Sequence, residues 1–248
     1  MGFVSITGHF ERPKVRGIAK RAEAILKKLG KECKASDIKA KKFNSKDAEL
    51  VLAVGGDGTL LRVVRELKRE IPVLGIAAGE KCALMQAKQK QLPEKLKKIA
   101  EGKFKVEKRL RLEARADGKK IGLALNEAML VNKKSGSIIS YCLKVNGKRQ
   151  YYCRADACIV STATGSTGHA FSAGGKRMKA GSSSIAIVPS NALNRAEKAV
   201  YRAGSSIIVL DGFCAKQEHE AVLDGQPRFP VKKRLLARRG RDALFLKV

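Results

Sequence analysis

The sequence contains no tryptophan, and aromatic residues make up only 5% of it. A core must therefore rest on Val, Ile, Leu and Ala, which the 44% hydrophobic content supplies in globular proportion. Histidine occurs three times, and none of the six cysteines forms a CxxC pair, so the common zinc spacings are excluded. No apolar run approaches the roughly 18 residues that would span a bilayer. Met1 to Phe10 lacks a charged start followed by an apolar stretch, and Ile6 stands where a myristoylation pattern needs Ser or Thr. Scattered single cysteines without a signal peptide are the pattern of reduced thiols, so a cytoplasmic location is expected.

Acidic side chains are also scarce, with 23 against 52 Lys and Arg and a formal charge of +29. Such a field attracts anions, and nucleic acid is the first partner to consider. The basic residues are nevertheless spread along the whole chain, with small clusters at Lys39 to Lys42, Lys95 to Lys98, Lys232 to Arg234 and Arg238 to Arg241. No helix-turn-helix, zinc-finger or aromatic-basic motif accompanies them, which argues against dedicated nucleic-acid binding. A solvated basic surface that also steers small anions accounts for the charge.

Two grammars follow one another along the chain. Up to residue 103, apolar strand-like runs (Phe3 to Thr7, Leu50 to Val54, Pro72 to Ala77) alternate with helical spacing. Helices are expected from Pro13 to Leu29, with Gly30 as C-terminal cap, from Thr59, and over Leu92 to Gly102. That alternation predicts a Rossmann-like α/β domain with a parallel sheet over residues 1–103. From residue 104 to 248 strands succeed one another, with hairpin signals at Asp117-Gly118 and Asn146-Gly147, which predicts a β-rich, sandwich-like domain. Lys105 to Ala116 and Lys119 to Val131 each read as one strand. Arg234 to Val248 reads as a final hairpin turning at Arg239 to Asp242, with a return of the last residues to the first domain left open.

Three segments carry chemistry. Val54-Gly55-Gly56-Asp57-Gly58-Thr59 lies between a strand and a helix. Bare glycines let backbone approach a ligand, and a helix N-terminus favours phosphate. A carboxylate there could hold Mg²⁺ or take a proton from an attacking hydroxyl, or it could merely cap the helix. Asn126-Glu127 places an amide beside a carboxylate inside an apolar stretch, which suits vicinal hydroxyls; a strand end facing water is the plain alternative. Asp156 to Gly175 runs from a buried-type strand into a loop dense in Ser, Thr and Gly, too long for a mere connection.

Together and in this order these segments resemble the NAD kinase family. Gly55 to Thr59 is similar to its GGDGT motif, Asn126-Glu127 to its NE motif, Ser161 to Gly175 to its STPTGSTAYNLSAGG stretch, and Leu223 to Gln226 to its late DGQ turn. The resemblance implies an ATP-dependent kinase acting on the 2′-hydroxyl of the adenosine ribose of NAD, bound in a cleft between the two lobes. It implies Asp57 as the catalytic residue. Gly55, Gly56, Gly58 and Thr59 would hold phosphates of ATP, and Asn126, Glu127, Asp156, Thr164, Thr167, His169 and Ser172 would bind NAD. Mg²⁺ or another divalent cation would arrive on the phosphates, with Asp57 the one candidate to touch it. A homodimer or homotetramer is implied as well.

The chain departs from the family pattern in the stretch Gly75 to Met85, where the family's Asn is Ala77 and its later glycine and Phe are absent, at His169, where it has Tyr, and at Ala163, where it has Pro. GGDGT alone is shared with lipid and sugar-phosphate kinases. A lipid or small-alcohol kinase, a nucleotide-binding homologue with disabled chemistry, and a polyanion-binding protein are the alternatives.

Overall fold

The computed structural model describes residues 2–39, 47–80, 82–193, 198–214 and 216–248. Of the basic cluster over 39–42 only Lys39 falls among them, and within the 75–85 stretch Lys81 does not. The chain divides into two compact units, residues 1–108 with 243–248, and residues 109–242.

The first unit carries strands β1 (Phe3–Gly8), β2 (Cys33–Asp37), β3 (Ala48–Gly55), β4 (Pro72–Ala77), the short β5 (Ala87–Lys88) and β6 (Lys105–Arg109). Its helices are α1 (Pro13–Lys28), α2 (Asp57–Glu66) and α3 (Leu92–Ala100). Strands β1, β3 and β4 are buried along most of their length, whereas β2 at the sheet edge is not, and all four pair in parallel. Helix α1 starts with proline at a position that needs no N–H, and it buries Val15, Ile18, Ala19, Ala22 and Leu26. Gly30, at φ +71, closes it as the left-handed cap expected from the sequence. One core unites β1, β3, β4, α1 and α3 through Ile6, Leu52, Leu74, Ala22, Leu26 and Leu96.

The second unit is antiparallel. One sheet holds β7 (Leu112–Ala116), β8 (Lys119–Ala124), β10 (Ile139–Val145), β11 (Lys148–Ala155), β15 (Ile208–Asp211) and β18 (Arg234–Arg239), in the order β11-β10-β15-β18-β7-β8. The other holds β9 (Glu127–Asn132), β12 (Ala157–Thr162), β13 (Ser184–Ser190), β14 (Val200–Ala203), β16 (His219–Leu223) and β17 (Arg228–Val231), in the order β14-β13-β12-β9-β16-β17. Leu112, Tyr141 and Leu235 of the first sheet share a core with Leu130, Val160, Ile187 and Ala221 of the second. Asp117-Gly118 and Asn146-Gly147 turn the hairpins at positive φ in both residues.

Three expectations about strands are corrected. Lys105 to Ala116 is two strands: β6 joins the parallel sheet and β7 the antiparallel one, with Leu110 and the buried Arg111 between them. Lys119 to Val131 is likewise broken, at Leu125-Asn126, where the sheets diverge. The terminal hairpin does not form. β18 pairs with β7 and β15, whereas β19 (Ala243–Lys247) pairs in parallel with β4, because burying Phe245 and Leu246 in the first unit satisfies more apolar surface than an exposed turn would.

Candidate active site

The glycine segment of the first unit is a strand-to-helix turn of minimal length. Gly55 ends β3, Gly56 is the N-cap of α2 in extended backbone, and Asp57 is its first residue. A side chain at Gly55 would overlap Thr59, whose own side chain is buried beneath it. Gly58 faces open space. The Thr59 and Leu60 N–H groups both donate to the Gly56 carbonyl, at 3.0 and 3.2 Å, and the amides of Asp57 and Gly58 ahead of them lie outside the intrahelical ladder, so the turn offers N–H donors and the positive end of a helix to an anion.

Asp57 does not cap its own helix; α2 has no side-chain cap. Its carboxylate instead reaches the loop after β4. Ala83 N–H donates to Oδ2 and Leu84 N–H to Oδ1, each at 2.9 Å. Ala78 N–H donates to the Gly55 carbonyl at 2.8 Å, so the altered loop is tied to the glycine turn at two points. A cavity of about 380 Å³ opens beside it, lined among others by Lys14, Ala77, Ala78, Glu80, Gln86 and Lys88. Open parallel sheets place ligands at this end of their strands.

In the second unit one strand organises the site. β9 runs antiparallel to both β12 and β16, so its start meets the ends of the other two: Ser161 pairs with Glu127, and Leu223 with Ala128. Asn126-Glu127, Thr162 to His169 and Asp224-Gly225 therefore converge although they lie far apart in sequence. Asp224, at φ 48, turns its carboxylate under the start of β9. It accepts N–H bonds from Leu125 at 3.1 Å, Asn126 at 2.7 Å and Glu127 at 3.4 Å. Thr162 donates its hydroxyl to the Leu125 carbonyl at 2.6 Å, and its N–H to the Asn126 carbonyl at 2.8 Å. Gly165 packs so closely on Asn126 that a Cβ would overlap the Asn126 carbonyl.

This frame holds the polar pair under tension of another kind. Glu127 is buried, and its Oε1 meets His169 Nδ1 at 3.0 Å. Burial pushes its carboxyl above the ordinary carboxylate range; the His169 hydrogen bond pulls the other way, and the Asp224 charge adds to the rise. Glu127 Oε2 and Asn126 Oδ1 are buried acceptors that meet no donor among the described residues. Such atoms are costly unless a ligand or water donates to them.

The expected residues thus separate. Asn126, Glu127 and His169 share one corner with Thr164, which is half-buried at the start of a short 3₁₀ turn, and Thr167, which is exposed. Ser172 is exposed at the end of helix α4 (His169–Ser172). Asp156 stands at the opposite end of β12, about 20 Å along the strand from Thr162. It bonds Asn191 and lines a separate cavity of about 500 Å³ with Asn132, Lys133 and Arg228. Sequence reasoning noted Asp224 only as part of a turn motif, and it passed over Thr162 as one hydroxyl among many. The signal that would have found Asp224 is its place in an Asp-Gly pair directly after a buried strand. Among the described residues no three or more His, Cys, Asp or Glu side chains gather as a metal site.

Comparison with known proteins finds a family match within each of the two units. The family model described as the ATP-NAD kinase N-terminal domain matches residues 12–104, and that of the ATP-NAD kinase C-terminal domain matches residues 125–238. An NAD kinase of Methanocorpusculum labreanum is 32% identical over 209 residues, covering 82% of this chain and 76% of the relative. An NAD kinase of Neisseria meningitidis is 39% identical over 146 residues, and the match spans 57% of this chain but 49% of the relative's length. The crystal structure of an NAD kinase from Archaeoglobus fulgidus in complex with ATP superposes with a TM-score of 0.87 at 28% identity, covering 100% of this chain and 94% of that one. A yeast NADH kinase complexed with NADH shares the fold, with a TM-score of 0.85 at 17% identity, covering 100% and 84% of the two chains.

Proposed function

The chain belongs to the NAD kinase family, and from that premise we propose that it transfers the γ-phosphoryl group of ATP to the 2′-hydroxyl of the adenosine ribose of NAD, giving NADP and ADP. The observation that carries this reading is the pair of buried acceptors, Asn126 Oδ1 and Glu127 Oε2, that meet no donor among the described residues. A vicinal diol brings two O–H donors at adjacent carbons, the complement these acceptors lack. The Glu127–His169 pair fixes one carboxylate oxygen and leaves the other for the sugar. Thr164 and Thr167 would border the same nucleoside, and Ser172 would lie at its rim. Asp156, remote along β12, would reach a dinucleotide only from a different side or from another copy of the chain, in keeping with a homodimer or homotetramer.

In the reaction the acceptor oxygen attacks phosphorus, the bond to the bridging oxygen of ADP breaks, and the hydroxyl proton leaves. Asp57 is assigned to that proton and to the orientation of the hydroxyl. Gly55, Gly56, Gly58 and Thr59 would cradle the donor phosphates around the N–H groups at the start of α2. Mg²⁺ fits the donor set present: phosphate oxygens would supply most of its ligands and Asp57 a carboxylate, and its chemistry would be to neutralise charge on the moving phosphoryl group. The cytoplasm suits six cysteines that are all free. No helix among the described residues is long and apolar enough to cross a membrane.

The test is direct. The protein is incubated with ATP, Mg²⁺ and NAD, and NADP is read with an NADP-specific dehydrogenase, with a parallel arm offering diacylglycerol. NADP formation that stops when Mg²⁺ is chelated is expected. Phosphorylation of the lipid, or tight NAD binding with no product, would overturn the assignment.

A further inference from the structure

Asp57 is held by two backbone amides, so whatever holds those amides sets the position of the carboxylate. They belong to Ala83 and Leu84, in a loop with no helix or strand of its own. Two residues further on, Gln86 bridges that loop to the rigid sheet. Its Oε1 accepts from Gly75 N–H in β4 at 2.6 Å, and its Nε2 donates to the Leu84 carbonyl at 2.5 Å. Its own N–H donates to the Gly75 carbonyl at 3.0 Å. The Leu84 residue is thereby gripped from both sides, by Gln86 through its carbonyl and by Asp57 through its N–H.

A primary amide fits this bridge at both ends. One end must accept from an N–H and the other must donate to a carbonyl; a carboxylate cannot donate, an ammonium cannot accept, and a thioether does neither well. The strand is shaped to admit it as well. A Cβ on Gly75 would lie 2.5 Å from Met85 Sδ and 3.1 Å from Gln86 Oε1, so a side chain there would push Met85 and Gln86 away.

We propose that Gln86 is the positioning residue for Asp57, fixing the Ala83–Leu84 amides against Gly75 so that the carboxylate is held in one orientation. It touches no reacting atom. The inference rests on the role given above to Asp57, and it concerns the segment in which this chain departs from the family pattern.

The experiment uses the full chain with two substitutions. Gln86→Met removes both side-chain bonds at nearly constant length. It is expected to lower kcat by about 10- to 100-fold, the scale on which small misplacements act, with the KM for NAD within about threefold of the unsubstituted value. Gln86→Glu keeps the acceptor but loses the donor while ionised. As pH falls toward its ordinary pKa of about 4.3 the protonated form donates again, so its kcat relative to the unsubstituted chain should rise at least about threefold between pH 7 and 5. The titration of Lys14, Glu80 and Lys88, which line the same cavity, and of Asp57, which shares Leu84, is common to both proteins and cancels in that ratio; their charges act on the new carboxyl alone, the lysines favouring its ionised form and the two acids its protonated form, and so set the pH at which the rise is centred. The second readout needs no activity: the Ala83 and Leu84 amide proton resonances should shift in Gln86→Met and in Asp57→Asn alike. Unchanged kcat in Gln86→Met, a flat pH ratio in Gln86→Glu, or a fall in turnover without movement of those two amides overturns the proposal. An unsubstituted chain that makes no NADP refutes the kinase reading instead, and the amide shifts still decide the role of Gln86.

Discussion

Glu127 and His169 are joined at 3.0 Å across 42 positions of chain, with the carboxylate side chain 3% exposed and the imidazole 60% exposed. The pair is asymmetric: the acid is anchored inside by the Asp224-held start of β9, while the base stands at the surface and can answer to a ligand. The buried acid is where stability and binding conflict.

Glu127→Gln separates the two. The native carboxyl holds its proton more tightly than the unfolded one, so the folded state gains a proton between the ordinary value of 4.5 and the raised native value. The stability this group contributes therefore falls as pH rises through that window. The amide variant should show a flatter dependence of Tm on pH and a Tm at pH 7 no lower than the parent, while the KM for NAD rises at least about tenfold. Thermal melts across pH, with steady-state kinetics alongside, decide it; a clear drop in Tm at neutral pH would contradict the burial argument.

Asp57→Asn keeps the shape of the side chain and removes its charge. Turnover should fall by at least about 10²-fold, as when a general base is lost, while the Kd for NAD by calorimetry changes little. Near-normal turnover would defeat the role assigned to this residue.

Asp224→Ala leaves the Leu125, Asn126 and Glu127 amides without their acceptor. A cost of about 3 kcal/mol or more in denaturant unfolding is expected, because stranded buried donors are expensive, and NAD binding should weaken with it. A loss under about 0.5 kcal/mol would mean that the turn does not support the site.

Two glycines give opposite outcomes under one substitution. Gly165→Ala drives a Cβ into the Asn126 backbone, so a loss of about 2 kcal/mol or more is expected, together with a higher KM for NAD. Gly17→Ala lies in α1 with nothing near its Cβ and should stabilise the chain by about 0.5 to 1 kcal/mol. Paired urea melts test the contrast.

Much of the first unit is legible because its signals are local. Apolar runs such as Pro72–Ala77 are strands over the bounds their composition suggests, and α1 starts at its proline and ends before its glycine. The hairpin turns at Asp117-Gly118 and Asn146-Gly147 are equally local, since few residues other than Asn, Asp and Gly accept positive φ cheaply. The grouping of Asn126, Glu127 and His169 followed from motif resemblance, and the structure supplies its cause in the antiparallel pairing of β9 with β12 and β16.

The amino-acid order alone determined the helices and buried strands of the first unit, the two grammars and the glycine turn that presents Asp57, because backbone preference and apolar periodicity act over a few residues. Tertiary structure alone decided that Arg234–Val248 splits between two sheets, that Asp156 stands far from Glu127 along β12, and that Gln86 and Asp224 hold the polar groups in place. Those outcomes depend on which distant strands pair and on which buried donors need acceptors. Such demands exist only once the chain has closed on itself.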